Sequence, residues 1–358
     1  MKLRRILLGV VSAAVSVALI ILIIRIGNID LHATWQDIAR AKPSALVKLV
    51  LLNILLIWLS TEKWRSVDAA LRHTSDPVPS WIDAFGFTSA GMALGQVLPV
   101  QLGMTAARTF GTHFYGSALK RGAAGTLFEQ SFDVLIVGFL AVASAATWFL
   151  GGGGMMWLIS AAAMIALELL AVGLLLRLAH WIASRLGREL ANRNWLRGNL
   201  QSFFELVQSG VLSETLTRRL VILSAARFVV VVLMAEETAE AVAAPIPLWH
   251  LAAAVPFVYL AAAVAATPGG IGVNELTLAG ALKMFGTRFS VAAPWVLVNR
   301  VLGVASCFFV ALVAAILMGV KRLTSARAPL KNLAHTPPPS EISGATPESQ
   351  AKGSVPRR

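Results

Sequence analysis

Apolar residues in this chain fall in long runs rather than in alternation with polar ones. Such runs occupy residues 1–24, about 45–60, 123–150, 155–176, 220–235 and 291–318. A helix needs roughly 20 apolar residues to cross a hydrocarbon layer of about 30 Å, so each run predicts a spanning helix. Two further apolar regions are interrupted. Trp81 to Gly103 breaks at Leu98-Pro99-Val100-Gln101-Leu102-Gly103, and Leu251 to Phe285 breaks at Thr267-Pro268-Gly269-Gly270-Ile271-Gly272. Proline removes a helical donor and glycine lowers helix propensity, so each break ends one helix and starts another.

Composition agrees with the pattern. At 57% hydrophobic and 14% charged residues, the chain is too apolar for a soluble domain, and a soluble enzyme is excluded. A net charge of +13 raises a nucleic-acid reading, but the basic residues lie between apolar runs and form no readable binding motif. They serve better as topology signals. Lys and Arg number three in 1–5, three in 61–80, three in 105–122, seven in 177–219 and seven in 319–358, against six on the other side: Arg25, Arg40, Lys42, Lys48, Lys283 and Arg288. Cytoplasmic loops collect such residues. The partition closes if 81–104 enters and leaves on the cytoplasmic side while 249–288 enters and leaves on the opposite side. The expected fold is an all-α polytopic membrane protein with about six spanning helices, two re-entrant hairpins of opposite sense, and both termini in the cytoplasm.

The membrane domain is expected over 1–323, with halves at 45–176 and 220–318. A cytoplasmic basic loop, 178–219, is either a plain connection or an amphipathic helix on the lipid surface. A disordered cytoplasmic tail is expected over 324–358, where Pro, Ser, Gly and Gln accumulate. The halves suggest duplication. Pro99 lies four residues before Gly103 and 30 before Glu129; Pro268 lies four before Gly272 and 32 before Arg300. Fifteen prolines and 28 glycines offer chance matches, yet both breaks precede the chain's rare intramembrane charges. Inverted repeats of this kind build transport sites near the bilayer midplane.

An ionisable side chain in hydrocarbon is costly and faces a partner or a polar cavity. The candidates are Arg108, Glu129, Asp133, Glu168, Arg227, Glu275 and Arg300, with Asn274 and Asn299 beside two of them. Glu129 and Asp133 share a helix face at i, i+4, and Arg300 and Arg108 are their natural partners. These groups either bind substrate or pin broken helices together as ion pairs. For Glu168 and Arg227 the structural role is the stronger expectation. At 267–275, Pro268, Gly269, Gly270 and Gly272 are expected to leave backbone N–H groups open beside Glu275, an anion site at a half-helix N-terminus; alternatively Glu275 caps its own helix.

Catalytic patterns are missing. There is no Gly-x-Ser-x-Gly, no Walker loop, no HExxH and no clustered His/Cys set; Cys307 is the one cysteine and lies in an apolar run. No metal or other cofactor is expected, and an enzyme is the weaker expectation.

Thr267-Pro-Gly-Gly-Ile-Gly-Val-Asn-Glu275, Leu98-Pro-Val-Gln-Leu-Gly103 with Arg108, and Glu129-Gln-Ser-Phe-Asp133 resemble the motifs of the lysylphosphatidylglycerol synthase transmembrane (flippase-like) family over roughly residues 5–320. The resemblance implies a bacterial inner-membrane protein that moves an aminoacylated or otherwise modified lipid between leaflets; some relatives are linked to sugar transfer from polyprenyl lipids or to hopanoid metabolism. Members that synthesise lysyl-lipid have a C-terminal aminoacyl-transferase domain, whereas this sequence ends about 40 residues after its last apolar run, so synthesis is not expected. Relatives often have an acidic residue where Met104 stands, Arg where Gln130 stands and a basic residue where Asn274 stands. These departures weaken the case for a cationic lysyl cargo. The expected site comprises Arg108, Glu129, Asp133, Pro268, Gly269, Gly270, Gly272, Asn274, Glu275 and Arg300. In it Arg300 and the glycine backbone would hold a lipid phosphate, and the two α-helical carboxylates would accept a cationic headgroup or pair with Arg108. Membrane lipids are the expected partners, without nucleic acid. A separate lipid-modifying transferase and self-association stay open, as do two other functions: a glycosyl- or aminoacyl-type transferase using Glu129 and Asp133 as acid and base, and a non-transporting companion of a biosynthetic enzyme.

Overall fold

The computed structural model describes residues 2–71, 78–116, 119–171, 213–265 and 267–333. Among them the chain forms helices α1 (Lys2–Gly27), α2 (Leu31–Ala39), α3 (Pro43–Leu71), α4 (Trp81–Leu94), α5 (Val100–Phe114), α6 (Leu119–Phe149), α7 (Gly154–Ala171), α8 (Glu214–Ala241), α9 (Leu248–Val264), α10 (Val273–Met284) and α11 (Phe289–Leu333), with a 3₁₀ turn at Pro268–Gly270 and no strand. It is an all-α polytopic membrane protein. Four described helices, α3, α6, α7 and α11, are long and apolar enough to cross a membrane alone, and α1 with α2 passes as a pair bent by 95°. The expected sixth span, α8, has the length but carries Arg227 in its middle and Glu236, Glu237 and Glu240 near its end, which removes it from the purely apolar class.

Contacts at the helix ends fix the directions. At one face, Glu62 of α3 accepts from Trp81 Nε1 of α4 at 3.1 Å and from Arg219 of α8 at 3.2 Å, and Lys321 of α11 reaches Asp83 of α4 at 2.6 Å. At the other, Lys48 of α3 pairs with Glu237 of α8 at 3.0 Å, Gly154 of α7 packs on Trp249 of α9, and Gly27 of α1 on Ala293 of α11. The two broken regions are hairpins that open toward opposite faces. Tyr115, just past α5, donates to Asp83 at 2.6 Å and closes the open end of α4–α5; His250 and Thr287 meet at 2.7 Å and do the same for α9–α10. At 14, 15, 17 and 12 residues, these helices reach only about 18–26 Å, short of a hydrocarbon core.

The packing repeats. Exchanging α3 with α8, α4 with α9, α5 with α10 and α6 with α11 maps the principal packed pairs onto one another: α4 lies on α11 as α9 lies on α6, and α5 lies on α6 as α10 lies on α11. Among the described residues no helix corresponds to α7, in a unit expected to run to 176. Other boundaries move as well. The limb after the first break is helical to Phe114, although the three basic residues of 105–122 were all counted on the cytoplasmic side. Helix α11 runs to Leu333, so 324–333 are helical rather than tail, Ala326, Arg327, Leu330 and Lys331 being good helix formers. The basic loop lies outside the described residues except at its end, 213–219, which begins α8; so do 334–358.

Candidate functional site

The two breaks touch. Pro99 and Pro268 lack the donors that would continue their helices, and the chain ends freed there meet: Gly269 N–H donates to the Leu98 carbonyl at 3.0 Å. A Cβ on Gly269 would collide with the Gln96 carbonyl oxygen, and one on Gly272 with Leu19 of α1. Gly269, Gly270 and Gly272 all adopt positive φ, at 57°, 68° and 85°, a region other residues enter only at a cost of about 1–2 kcal/mol. Glycine is therefore required twice over, by the backbone angle and by the closeness of hairpin to hairpin.

Beside this junction lies a cavity of about 340 Å³ among α3, α4, α5, α6, α8, α9, α10 and α11. Arg108, Glu129, Asp133, Asn274, Glu275 and Arg300 line it, together with Arg227, Asn299, Met104 and Gln130. Pro268, Gly269, Gly270 and Gly272 form the backbone behind Arg300 instead of the lining. Glu168 lies on α7 outside the cavity, buried, with neither carboxylate oxygen partnered.

Two ionic centres occupy the wall. In the first, Glu129 pairs with Arg108 and with Lys63 at 3.1 Å, while Asp133 pairs with Lys63 at 2.5 Å and with Arg227. Arg108 also donates to the Ser60 carbonyl at 2.8 Å and lies over the Trp64 ring. Burying each charge costs several kcal/mol unless geometry and hydrogen bonds compensate, and each carboxylate here has two cations. In the second centre, Glu275 accepts from Gly272 N–H at 2.6 Å and faces Arg300 Nε at 3.5 Å, and Arg300 donates to the Gly269 carbonyl at 2.9 Å. Arg300 therefore straps the α9–α10 break.

Three expectations change. Arg300 pairs with Glu275 and not with the α6 carboxylates, because it sits on α11 directly over the second break. The glycine amides are not open: Gly269 donates to Leu98, Gly270 to Thr267 and Gly272 to Glu275, since backbone groups in an apolar setting are satisfied internally. Glu275 does cap its own helix, while still facing the cavity. Lys63 went unnoticed as a site residue. Its neighbours Glu62 and Arg65 made 61–80 read as a loop, yet Leu56, Ser60, Lys63 and Val67 recur at helical spacing and are all buried, a periodicity that continues α3 past the apolar run.

The sequence profile described as Lysylphosphatidylglycerol synthase TM region matches residues 8–325. The chain belongs to this family. Comparison with curated proteins and with solved structures returns no match. The membership makes it a membrane protein of the lipid-modifying and flippase-like kind, and both breaks and both ionic centres lie within the lysylphosphatidylglycerol synthase TM region.

Proposed function

We propose that this protein moves a lipid between membrane leaflets, passing the phosphate-bearing headgroup through the central cavity while the acyl chains stay in the bilayer. One observation carries the reading: two oppositely directed broken hairpins meet in an apolar bundle beside a half-open, largely apolar cavity into which Arg300, Glu275 and Asp133 face. Irregular backbone survives at membrane depth where it is buried in protein, as at the second break behind Arg300, or lines a cavity, as at Gly95 and Gln96 of the first. Only the headgroup needs a polar path, and a small charged cavity in an otherwise apolar wall supplies that and little more. Arg300, about a quarter exposed, is the cation best placed to meet the phosphate. The excess of Lys and Arg on the side where the α4–α5 hairpin opens supports a cytoplasmic assignment for that face and for both chain ends, in a bacterial inner membrane.

A transferase reading is less well supported, since Glu129 and Asp133 are each held between two cations and a general base needs a carboxylate free to take a proton.

The test is leaflet exchange of labelled phosphatidylglycerol in vesicles containing the purified protein. Arg300→Ala and Glu275→Ala should each reduce exchange at least about tenfold; wild-type rates in both variants would remove the second ionic centre from the path, and no exchange by the unaltered protein would end the proposal.

A further inference from the structure

The cavity wall also points to the kind of headgroup. Four cations, Lys63, Arg108, Arg227 and Arg300, face three carboxylates, Glu129, Asp133 and Glu275, within or directly behind the lining. Every carboxylate oxygen involved has a protein partner: Glu129 is taken by Lys63 and Arg108, Asp133 by Lys63 and Arg227, Glu275 by Gly272 N–H and Arg300. A cationic headgroup would find no unneutralised carboxylate and a surplus positive charge.

The unmatched polar atoms in the lining are of another type. Asn53 is buried and gives its Nδ2 to Ser306 at 2.8 Å, and its Oδ1 has no partner; the same holds for Asn274 Oδ1, and for the Nε of both Arg108 and Arg227. None of these four atoms has accessible surface, so the groups open to a ligand are the carboxamides of the lining and Arg300, which suit hydroxyls and an anionic oxygen respectively. A hydroxyl donates and accepts, so it suits a carboxamide through either of its atoms. Gln96, Gln101, Gln130 and Asn299 extend the uncharged amide lining.

We infer that the site is specific for a lipid phosphate bearing hydroxyl groups and no ammonium, such as a glycerol or sugar phosphodiester, and discriminates against aminoacylated lipid. This rests on the transport reading for its setting, but it is a claim about recognition. It is tested by binding first.

In detergent, phosphatidylglycerol should raise the thermal unfolding midpoint of the full chain, and lysyl-phosphatidylglycerol should do so only at about tenfold or higher concentration, a factor that corresponds to about 1.4 kcal/mol. Phosphatidic acid, which keeps the phosphate and lacks the hydroxyls, should fall between them. Asn53→Leu and Asn274→Leu should bring phosphatidylglycerol down to the level of phosphatidic acid. Soluble glycerol 3-phosphate separates the sources: stabilisation matching that by phosphatidylglycerol would overturn a lipid ligand. Equal or better stabilisation by the lysyl lipid overturns the inference whatever the vesicles show. Selective binding without leaflet exchange would leave it standing and remove the transport proposal, while leaflet exchange with the opposite preference would do the reverse.

Discussion

The two halves of the bundle use the same pair of helices with the charges exchanged. In the first, the helix after the break carries Arg108 and the long helix beyond it Glu129; in the second, the helix after the break carries Glu275 and the long helix Arg300. The surroundings differ more than the sign. Arg108, Glu129 and Lys63 are essentially inaccessible, and the centre is cross-braced through Asp133 and Arg227. Glu275 and Arg300 form one longer pair, with Arg300 partly open to the cavity and a second bond to the Gly269 carbonyl. An ion pair locked by neighbours acts as framework, whereas one with a free face can exchange its partner for a ligand. The two junctions take corresponding places in the packing, one cross-braced and the other with an open face.

That contrast is broken most severely at Lys63. Lys63→Met would leave Glu129, which is buried, and Asp133, which is partly buried, with one cation each, and removing one member of such a network costs about 3–5 kcal/mol. The expected result is loss of folded protein, or a large fall in unfolding midpoint in detergent. A Lys63→Met variant as stable as wild type would show that Arg108 and Arg227 alone hold the first centre.

Next in size is the junction. Gly269→Ala must accept both a positive φ and a collision with the Gln96 carbonyl, at a cost of about 1–3 kcal/mol. Gly138→Ala is the control, since a Cβ there meets nothing within 4 Å and replaces helical glycine by a better helix former. Gly269→Ala should lower the midpoint and Gly138→Ala should not. If the two behaved alike, the hairpins would not be as closely seated as the Gly269–Leu98 bond indicates.

The comparison of the two centres is sharpened by Glu129→Gln against Glu275→Gln. The first removes a charge held by two buried cations and should cost roughly 2–3 kcal/mol; the second keeps an acceptor for Gly272 N–H, loses a single long pair and should cost about 1 kcal/mol or less. Leaflet exchange should respond to Glu275→Gln beyond anything its stability explains. Unfolding midpoints and exchange rates for the pair of variants decide the matter, and equal stability losses would mean that the second junction is framework too.

How much of this could be read from the sequence depended on the type of signal. The breaks at Pro99 and Pro268 were legible because Pro and Gly act locally, and their matched distances to Glu129 and Arg300 carried the repeat. The long apolar runs marked α3, α6, α7 and α11 for the same reason. Pairing was not legible, because which cation meets which carboxylate depends on helix rotation and on the close approach of α3 to α6, contacts between residues such as Lys63 and Asp133 that lie 70 positions apart. Lys63 was hidden by composition: next to Glu62 and Arg65 it resembles a loop residue, and only the face shared with Ser60 and Val67 distinguishes it. The occupation of the glycine amides was hidden as well, since Gly269 finds its acceptor in the other half of the chain.

The smallest expected effects are at the clamps that close the two hairpins, and they too are unequal. Thr287→Val removes the described side-chain partner of His250 Nδ1, which is buried, and leaves the ring nitrogen unsatisfied at a cost of about 1–2 kcal/mol. Tyr115→Phe takes one donor from Asp83, but Ser80 and Lys321 still donate to the same carboxylate, so the loss should be about 0.5–1 kcal/mol. Unfolding midpoints should therefore rank wild type, Tyr115→Phe and Thr287→Val in falling order. Because Asp83 ties the first hairpin to α11 through the Lys321 ion pair, and the mouth of the second is held by the His250–Thr287 bond and the Trp249–Phe285 ring contact with no ion pair among the described contacts, the same ranking should hold for proteolysis at the hairpin ends. A reversed order would mean that Tyr115 anchors more than one carboxylate, and that the first hairpin is the one poised to open.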